Sequence, residues 1–279
     1  MNQEYDKEVY KTKKKAELDE IFRMLNDATA ELVSDDDKFK AYLDVQARLD
    51  RYSVSNAILV AKQLPSVRQL KTFYDWQKQN VMVRKGEKSI AVLEPYEYEK
   101  RNGGSGRGYR VKKLFDVSQT NTPIRQDIIS RGIAERGLLA ALINDSVVPV
   151  EAVERTELGN PAQYDCMNKK VYVMRGLGAC EFFRTAAVEL AHACLAAGNY
   201  NYDRHSNEYK AEAAAYMLCK RYGVDTAELK PALPGSFYSM LYKDVRKELG
   251  DIKNVMSEIN ERMSIFLEKQ REARNDAER

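Results

Sequence analysis

The stretch that most restricts this fold is "AAVELAHACLAAG", residues 186–198, read with "NEYKAEAAAYMLCKRYGVDT", residues 207–226. Both are rich in Ala and Leu and free of Pro, so each is predicted as a helix. Only the loop "GNYNYDRHS" lies between them, so the two helices are expected to face each other. Glu189 and His192 fall on one face of the first helix, and Glu208 and Glu212 on one face of the second, because residues three and four apart are helical neighbours. An imidazole and carboxylates meeting between two helices are donor types of a metal centre. Taken alone, Glu-x-x-His is also what an ordinary helix contains.

The rest of the chain divides in two. Residues 8–33 carry an apolar stripe (Leu18, Ile21, Phe22, Leu25) at helical spacing. A second helix begins after the candidate caps Ser34 and Asp35, and a third runs through "SVSNAILVAKQL" to Pro65. "SIAVLEPYEYEK" and "GYRVKKLFDV" then read as strands around the flexible tip "RNGGSGRG". Residues 125–143 return to helix, and "VVPVEAVE", "QYDCMN" and "KVYVMRG" are three short strand candidates with a turn at Asn168-Lys169. After Pro234-Gly235 the chain is helical, with an apolar stripe at Ile252, Val255, Ile259, Met263 and Phe266. The best boundary falls near 120–126, which gives domains of 1–122 and 123–279. At 279 residues and 44% hydrophobic, the chain can bury a sizeable core. No apolar run nears the roughly 20 residues of a membrane span. The charged start does not read as a secretory signal. The four cysteines form no Cys-x-x-Cys pair, so reduced thiols and a cytoplasmic location are expected.

The net charge of +3 alone does not imply a nucleic-acid partner. Local charge does more. From Val81 to Lys113 nine Lys or Arg face four Glu, an excess larger than that of the whole chain. Tyr52, Phe73, Tyr74, Trp76, Tyr96, Tyr98, Tyr109 and Phe115 are interleaved or adjacent. Positive side chains neutralise phosphates, and aromatic faces stack unpaired bases at about 1–3 kcal/mol each. Core packing of Trp76, Phe73 and Phe115 beneath a solvated lysine face explains the same composition.

The wording of this half is more specific. Tyr52, Ser53 and Asn56; Trp76, Gln77 and Lys78; Val83, Lys85, Gly86, Glu87 and Lys88; and Phe115 to Thr120 occur in the order Y-S-x-x-N, W-Q-K-x-x-x-x-V-x-K-G-E-K, F-D-V-S-Q-T. This order resembles the N-terminal domain of ArdC-type antirestriction proteins, and the resemblance implies a domain that binds single-stranded DNA. Physical reading ranks the contacts. Arg84, Lys85 and Lys88, around a turn relaxed by Gly86, are the foremost phosphate candidates. Tyr109 is the best exposed stacking face. Tyr52, Ser53, Asn56, Trp76, Lys78, Arg110 and Lys112 complete the DNA-binding set, with capping competing for Asn56 and core packing for Trp76.

"ELAHA", its loop and the Glu208/Glu212 helix resemble the zincin metallopeptidase domain that follows such N-domains. The implied fold class is α+β: a helical and β-hairpin DNA-binding domain, then a zincin-like domain with a small sheet and C-terminal helices. In the H-E-x-x-H motif two histidines bind zinc and the Glu activates its water. Glu189 would be that catalytic residue, His192 and Glu208 metal ligands, and Glu212 a ligand support. Val188 departs from the motif, for it stands where the first His belongs and offers no lone pair. Only His205, in the loop, could substitute, and the spacing does not favour it. The expected state is therefore a metal-free pseudo-site with no cofactor, a weakly held zinc being the lesser reading. Three functions follow: a single-strand-binding accessory protein of a mobile element, a metallopeptidase acting on a host protein, or a non-catalytic protein-interaction scaffold.

Overall fold

The computed structural model describes residues 2–100, 102–122 and 135–277. Arg101 and the first part of the helix predicted over 125–143 lie outside the described residues. The chain forms two compact units, Met1–Arg125 with Tyr238–Arg246, and Gln126–Phe237 with Lys247–Arg279.

The first unit opens with α1 (Asn2–Ser34), α2 (Asp36–Arg48) and α3 (Val54–Gln63). The α1 stripe buries Ile21 and Leu25 as predicted and extends it to Ala28 and Leu32. Asp35 caps α2, accepting from the amides of Asp37 and Lys38. Ser34, the other cap candidate, ends α1 instead, and its hydroxyl bonds back to Ala30 O. Then follow β1 (Leu70–Lys71), α4 (Phe73–Gln77), β2 (Ile90–Glu99) and β3 (Ser105–Asp116), in an antiparallel sheet of order β1-β3-β2.

The outer edge of β2 is covered rather than left open. Asn56 Nδ2 donates to Leu93 O at 2.9 Å while its Oδ1 accepts from Leu93 N at 2.8 Å. Gln63, two turns along α3, grips Ala91 in the same way at 2.9 Å on both sides. Two side-chain amides thus take the place of a fourth strand, which removes an aggregation-prone edge. The β2–β3 ladder runs as far as Glu99 opposite Ser105, well into the segment predicted as a flexible tip. Gly106 and Gly108 are compatible with strand there because the rings of Tyr98 and Tyr96 lie across them. An added Cβ would meet either ring at 2.6 Å.

Residues 115–120, at and just beyond the end of β3, form a hydrogen-bonded knot. Asp116, fully buried, accepts from Arg68 N and Gln69 N at 2.7 Å and from Ser118 N at 2.9 Å. Gln119 Oε1 accepts from Asp116 N, and its Nε2 donates to Lys88 O. The indole of Trp76 donates to Phe115 O at 2.8 Å.

The second unit comprises α5 (Glu135–Ile143), β4 (Val150–Val153), β5 (Ala162–Asp165), β6 (Lys170–Met174), α6 (Ala179–Ala196), α7 (Arg204–Tyr222) and most of α8 (Tyr242–Ala277). β6 is central, parallel to β4 and antiparallel to β5. Ala186, Ala187, Ala191 and Ala193 of α6 and Ala211, Ala213, Ala214 and Ala215 of α7 are all buried, so small side chains line both helices where they pack. Gly223, at φ +70°, closes α7 in the left-handed conformation that favours glycine. The α8 stripe buries Ile252, Val255, Ile259 and Met263, so that face is core. Among the described residues no helix is long and apolar enough to cross a membrane.

Candidate functional site

In the first unit the hairpin's period of two sorts the basic residues predicted from sequence onto opposite faces. Glu94, Tyr96 and Tyr98 share one face with Arg110 and Lys112. There Glu94 binds both cations at 2.6 Å. Those hydrogen bonds, from Lys112 first and then Arg110, hold its carboxyl below the usual carboxylate range. The other face carries Arg107 and Tyr109, opposite Glu97 and Pro95. It overlooks a cavity of about 550 Å³, within the size range of ligand pockets.

Every element of the first unit that surrounds this cavity contributes chemistry suited to an anion with an attached ring. Arg51, Arg107 and Arg246 supply three guanidinium groups. Ser53, Ser55 and Asn56 mark the start of α3, whose first amides carry the positive end of the helix dipole. Tyr52 and Tyr109 provide aromatic faces, and Phe22, Leu25, Leu93 and Pro95 an apolar floor. Tyr109 is 39% exposed and is steadied edge-on by Phe22 at 6.1 Å. Burial pushes the Tyr52 phenol above its ordinary range, so it stays a neutral hydroxyl. Arg246, on the first turns of α8, is placed by Asn26 Oδ1 at 3.2 Å and Thr29 Oγ1 at 3.4 Å.

Of the residues predicted to bind DNA, Tyr52, Ser53, Asn56 and Tyr109 line this cavity. Ser53 does so while capping α3, and Asn56 spends its amide on Leu93. Trp76 does not reach it; it is 2% exposed and belongs to the core, with Lys71 Nζ 4.6 Å from its ring centroid. Arg84 is not a free phosphate ligand either. Its guanidinium binds Glu87 Oε1, Thr120 O and Ser118 O at 2.7–3.0 Å, tying the turn to the knot. Lys85 and Lys88 flank that turn and are exposed, and Lys78 is exposed beside Asp75 at 3.7 Å. Sequence reasoning missed Arg51, Arg107 and Arg246 as site residues. Arg51 adjoins the Tyr-Ser motif and Arg107 alternates with Tyr109, so both carried a signal; Arg246 carried none.

In the second unit, α6, α7 and β5 bring Glu189, His192, Glu208 and Arg204 together. Glu189 is 5% exposed. Its carboxylate accepts from Arg204 Nη1 at 2.7 Å, Arg204 Nη2 at 2.8 Å and the Tyr164 amide of β5 at 2.6 Å. His192 is wholly buried; Nδ1 bonds the Tyr202 hydroxyl. Its Nε2 lies 3.2 Å from Glu208 Oε2 but out of line for a hydrogen bond, leaving a buried nitrogen unsatisfied. Arg204 Nε is 3.5 Å from the same Glu208 oxygen. An Nε2 without a well-aligned hydrogen-bond partner suits a ligand, but the remaining donors do not complete a catalytic metal site. Val188, one turn before His192, has nothing to donate. Glu212 accepts from Lys230 N at 2.7 Å instead of supporting Glu208. His205 is exposed in the first turn of α7. Burial pushes the Cys194 thiol up to about 12, which disfavours the thiolate a metal would need. Among the described residues no group of three or more His, Cys, Asp or Glu is arranged to hold a metal ion.

No known family's sequence profile matches the chain, and no curated protein matches it. Solved structures do. The metal-free crystal structure of the antirestriction protein ArdC from plasmid R388 superposes with a TM-score of 0.52 at 16% identity, covering 77% of this chain and 86% of that one. The Mn(II)-bound structure of the same protein gives a TM-score of 0.47 at 15% identity, over 78% and 84%. Over most of its length, therefore, this chain has the fold of the ArdC antirestriction protein.

Proposed function

We propose that this protein is a single-stranded-DNA-binding accessory protein of the antirestriction type, carried by a mobile genetic element. Its second, metallopeptidase-like unit is not catalytic. The observation that carries the DNA reading is the cavity under the hairpin, with Arg51, Arg107 and Arg246 around Tyr52 and Tyr109 at the start of α3. Guanidinium groups and helix-terminal amides suit a phosphate, and tyrosine faces suit an unpaired base. A cavity offers such a base more than it offers a duplex, whose bases are already stacked. The DNA-binding part comprises residues 1–122 completed by Tyr238–Arg246, since Arg246 is one of the three cavity arginines. The likeness to a plasmid antirestriction protein supports the cellular role. The occupied Glu189 supports the non-catalytic reading, because a carboxylate with three donors is not available as a general base.

Fluorescence anisotropy with a labelled single strand tests the proposal. Binding is expected to be tighter than to the matching duplex, with little sequence preference. The affinity should fall steeply with salt, by a slope of about 0.7 per phosphate neutralised. No binding at low salt up to tens of micromolar protein would overturn it.

A further inference from the structure

The second unit carries its own cation where the resemblance of its Glu-x-x-His helix to a zincin implies a metal. Two carboxylates, Glu189 of α6 and Glu208 of α7, lie against the same guanidinium, with Glu189 buried. Such a pair needs a positive partner, because burying unpaired charge is costly. Arg204, the first residue of α7, supplies it. Its Nη1 and Nη2 close a two-point bond on Glu189, the geometry in which guanidinium and carboxylate fit best, and its Nε faces Glu208 at 3.5 Å. The Tyr164 amide takes a further acceptor site on Glu189, so the carboxylate also holds β5.

Three departures from a working metal centre agree with one another. Val188 offers no donor, Glu189 is engaged by three hydrogens, and a permanent positive charge sits against both carboxylates. Each would be damaging on its own in a metal enzyme. Together they make a self-sufficient site, since a guanidinium keeps its charge at any physiological pH and requires no metal supply. His192 is the remnant, held by Tyr202 with its Nε2 left without a well-aligned partner.

We infer that Arg204 is the resident cation of this site, replacing a divalent metal ion and locking the first turn of α7 to α6 and β5 through Glu189. The inference rests on the non-catalytic reading of this unit and is independent of DNA binding. It has a consequence that Val188 alone would not suggest. Restoring the missing histidine is not enough to recover a zinc site, because the arginine must also leave.

The test compares full-length wild type with Val188→His, Arg204→Met and the double variant Val188→His/Arg204→Met. Zinc uptake is measured by competition with a chromophoric chelator, and melting is followed with and without zinc. Wild type and Val188→His should take up no stoichiometric zinc. The double variant should bind one zinc about a hundredfold more tightly than Val188→His and melt higher in its presence. Arg204→Met alone should melt below wild type. Should the double variant fold only when zinc is added, that dependence is itself the expected binding. Equal zinc affinity for Val188→His and the double variant overturns the inference. So does a double variant that stays unfolded in zinc, or an Arg204→Met protein that melts like wild type. Tight zinc on the wild-type protein, lost in His192→Ala, would overturn this inference and the non-catalytic reading together. A zinc-free wild type with an unresponsive double variant would overturn this inference alone.

Discussion

Asn56 holds both backbone groups of Leu93, its side-chain amide donating to the carbonyl and accepting from the N–H. A residue that reads as a DNA contact is therefore a clasp on the sheet edge. Asn56→Ala would leave a part-buried N–H and C=O without protein partners. The expected loss is about 1–3 kcal/mol of stability, measured by urea unfolding. Asn56→Asp should also destabilise, since a carboxylate cannot donate to Leu93 O. If Asn56→Ala unfolds like wild type yet binds DNA poorly, the clasp is dispensable and Asn56 touches DNA after all.

Arg84 and Arg107 should separate cleanly. Arg107 lines the cavity, whereas Arg84 is bound to Glu87 and to two carbonyls of the knot. Arg107→Ala and Arg51→Ala should each weaken every single-stranded sequence to a similar degree, and each should flatten the salt slope by about 0.7. Their melting temperatures should stay near wild type. Arg84→Ala should lower the melting temperature and leave the salt slope unchanged. The reverse pattern in anisotropy and thermal melts would move the interface from the cavity to the Arg84 turn.

Glu94 offers a change in the opposite direction. It neutralises Arg110 and Lys112 on the outer face of the hairpin. Its carboxyl is held below the usual range, so the pairing is complete above the ordinary carboxylate pKa and is lost only as pH falls through the lower folded value. Glu94→Gln should release both cations and raise single-strand affinity severalfold at low salt. That gain should be constant from about pH 8 to about pH 5, because wild-type Glu94 stays ionised throughout. An unchanged affinity would show that DNA does not reach the outer face.

Much of the fold was legible in the sequence, and the reason lies in particular residues. The apolar stripe of α1, the Asp35 cap and the alternating strands are local signals, and these elements form where they were expected, whereas Ser34 ends α1 and the glycine-rich tip is partly strand. The motif words of the first half mark a frame more than a surface. Ser53 caps a helix, Asn56 clasps an edge, Trp76 is core, and Asp116 and Gln119 tie the knot. The candidate cavity lies between these words, in Arg51 and Arg107, whose roles depend on which face of the hairpin they occupy. In the second unit the sequence identified Val188 as a gap but gave no notice of Arg204. Its role depends on the approach of α7 to Glu189, which no spacing within one helix encodes.

Arg246 is the cavity residue with least warning in the sequence, and it yields the sharpest prediction about boundaries. The motif-bearing segment ends at Thr120 and places the end of the proposed DNA-binding half near residue 122, yet Tyr238–Arg246 belongs to the first compact unit. Arg246 reaches the cavity through Asn26 and Thr29 of α1, and burial lowers its affinity for a proton without approaching neutrality at physiological pH. A fragment of residues 1–122 therefore lacks one of three guanidinium groups. It should bind single strands more weakly than the full chain, with a salt slope smaller by about 0.7. Arg246→Ala in the full chain should reproduce that slope while keeping the fold. The comparison separates charge from scaffolding. If Arg246→Ala binds normally and the fragment does not, the second stretch matters only for packing. If both bind as tightly as the full chain, the anion site is built by Arg51 and Arg107 alone, and the boundary near residue 122 is functionally sufficient.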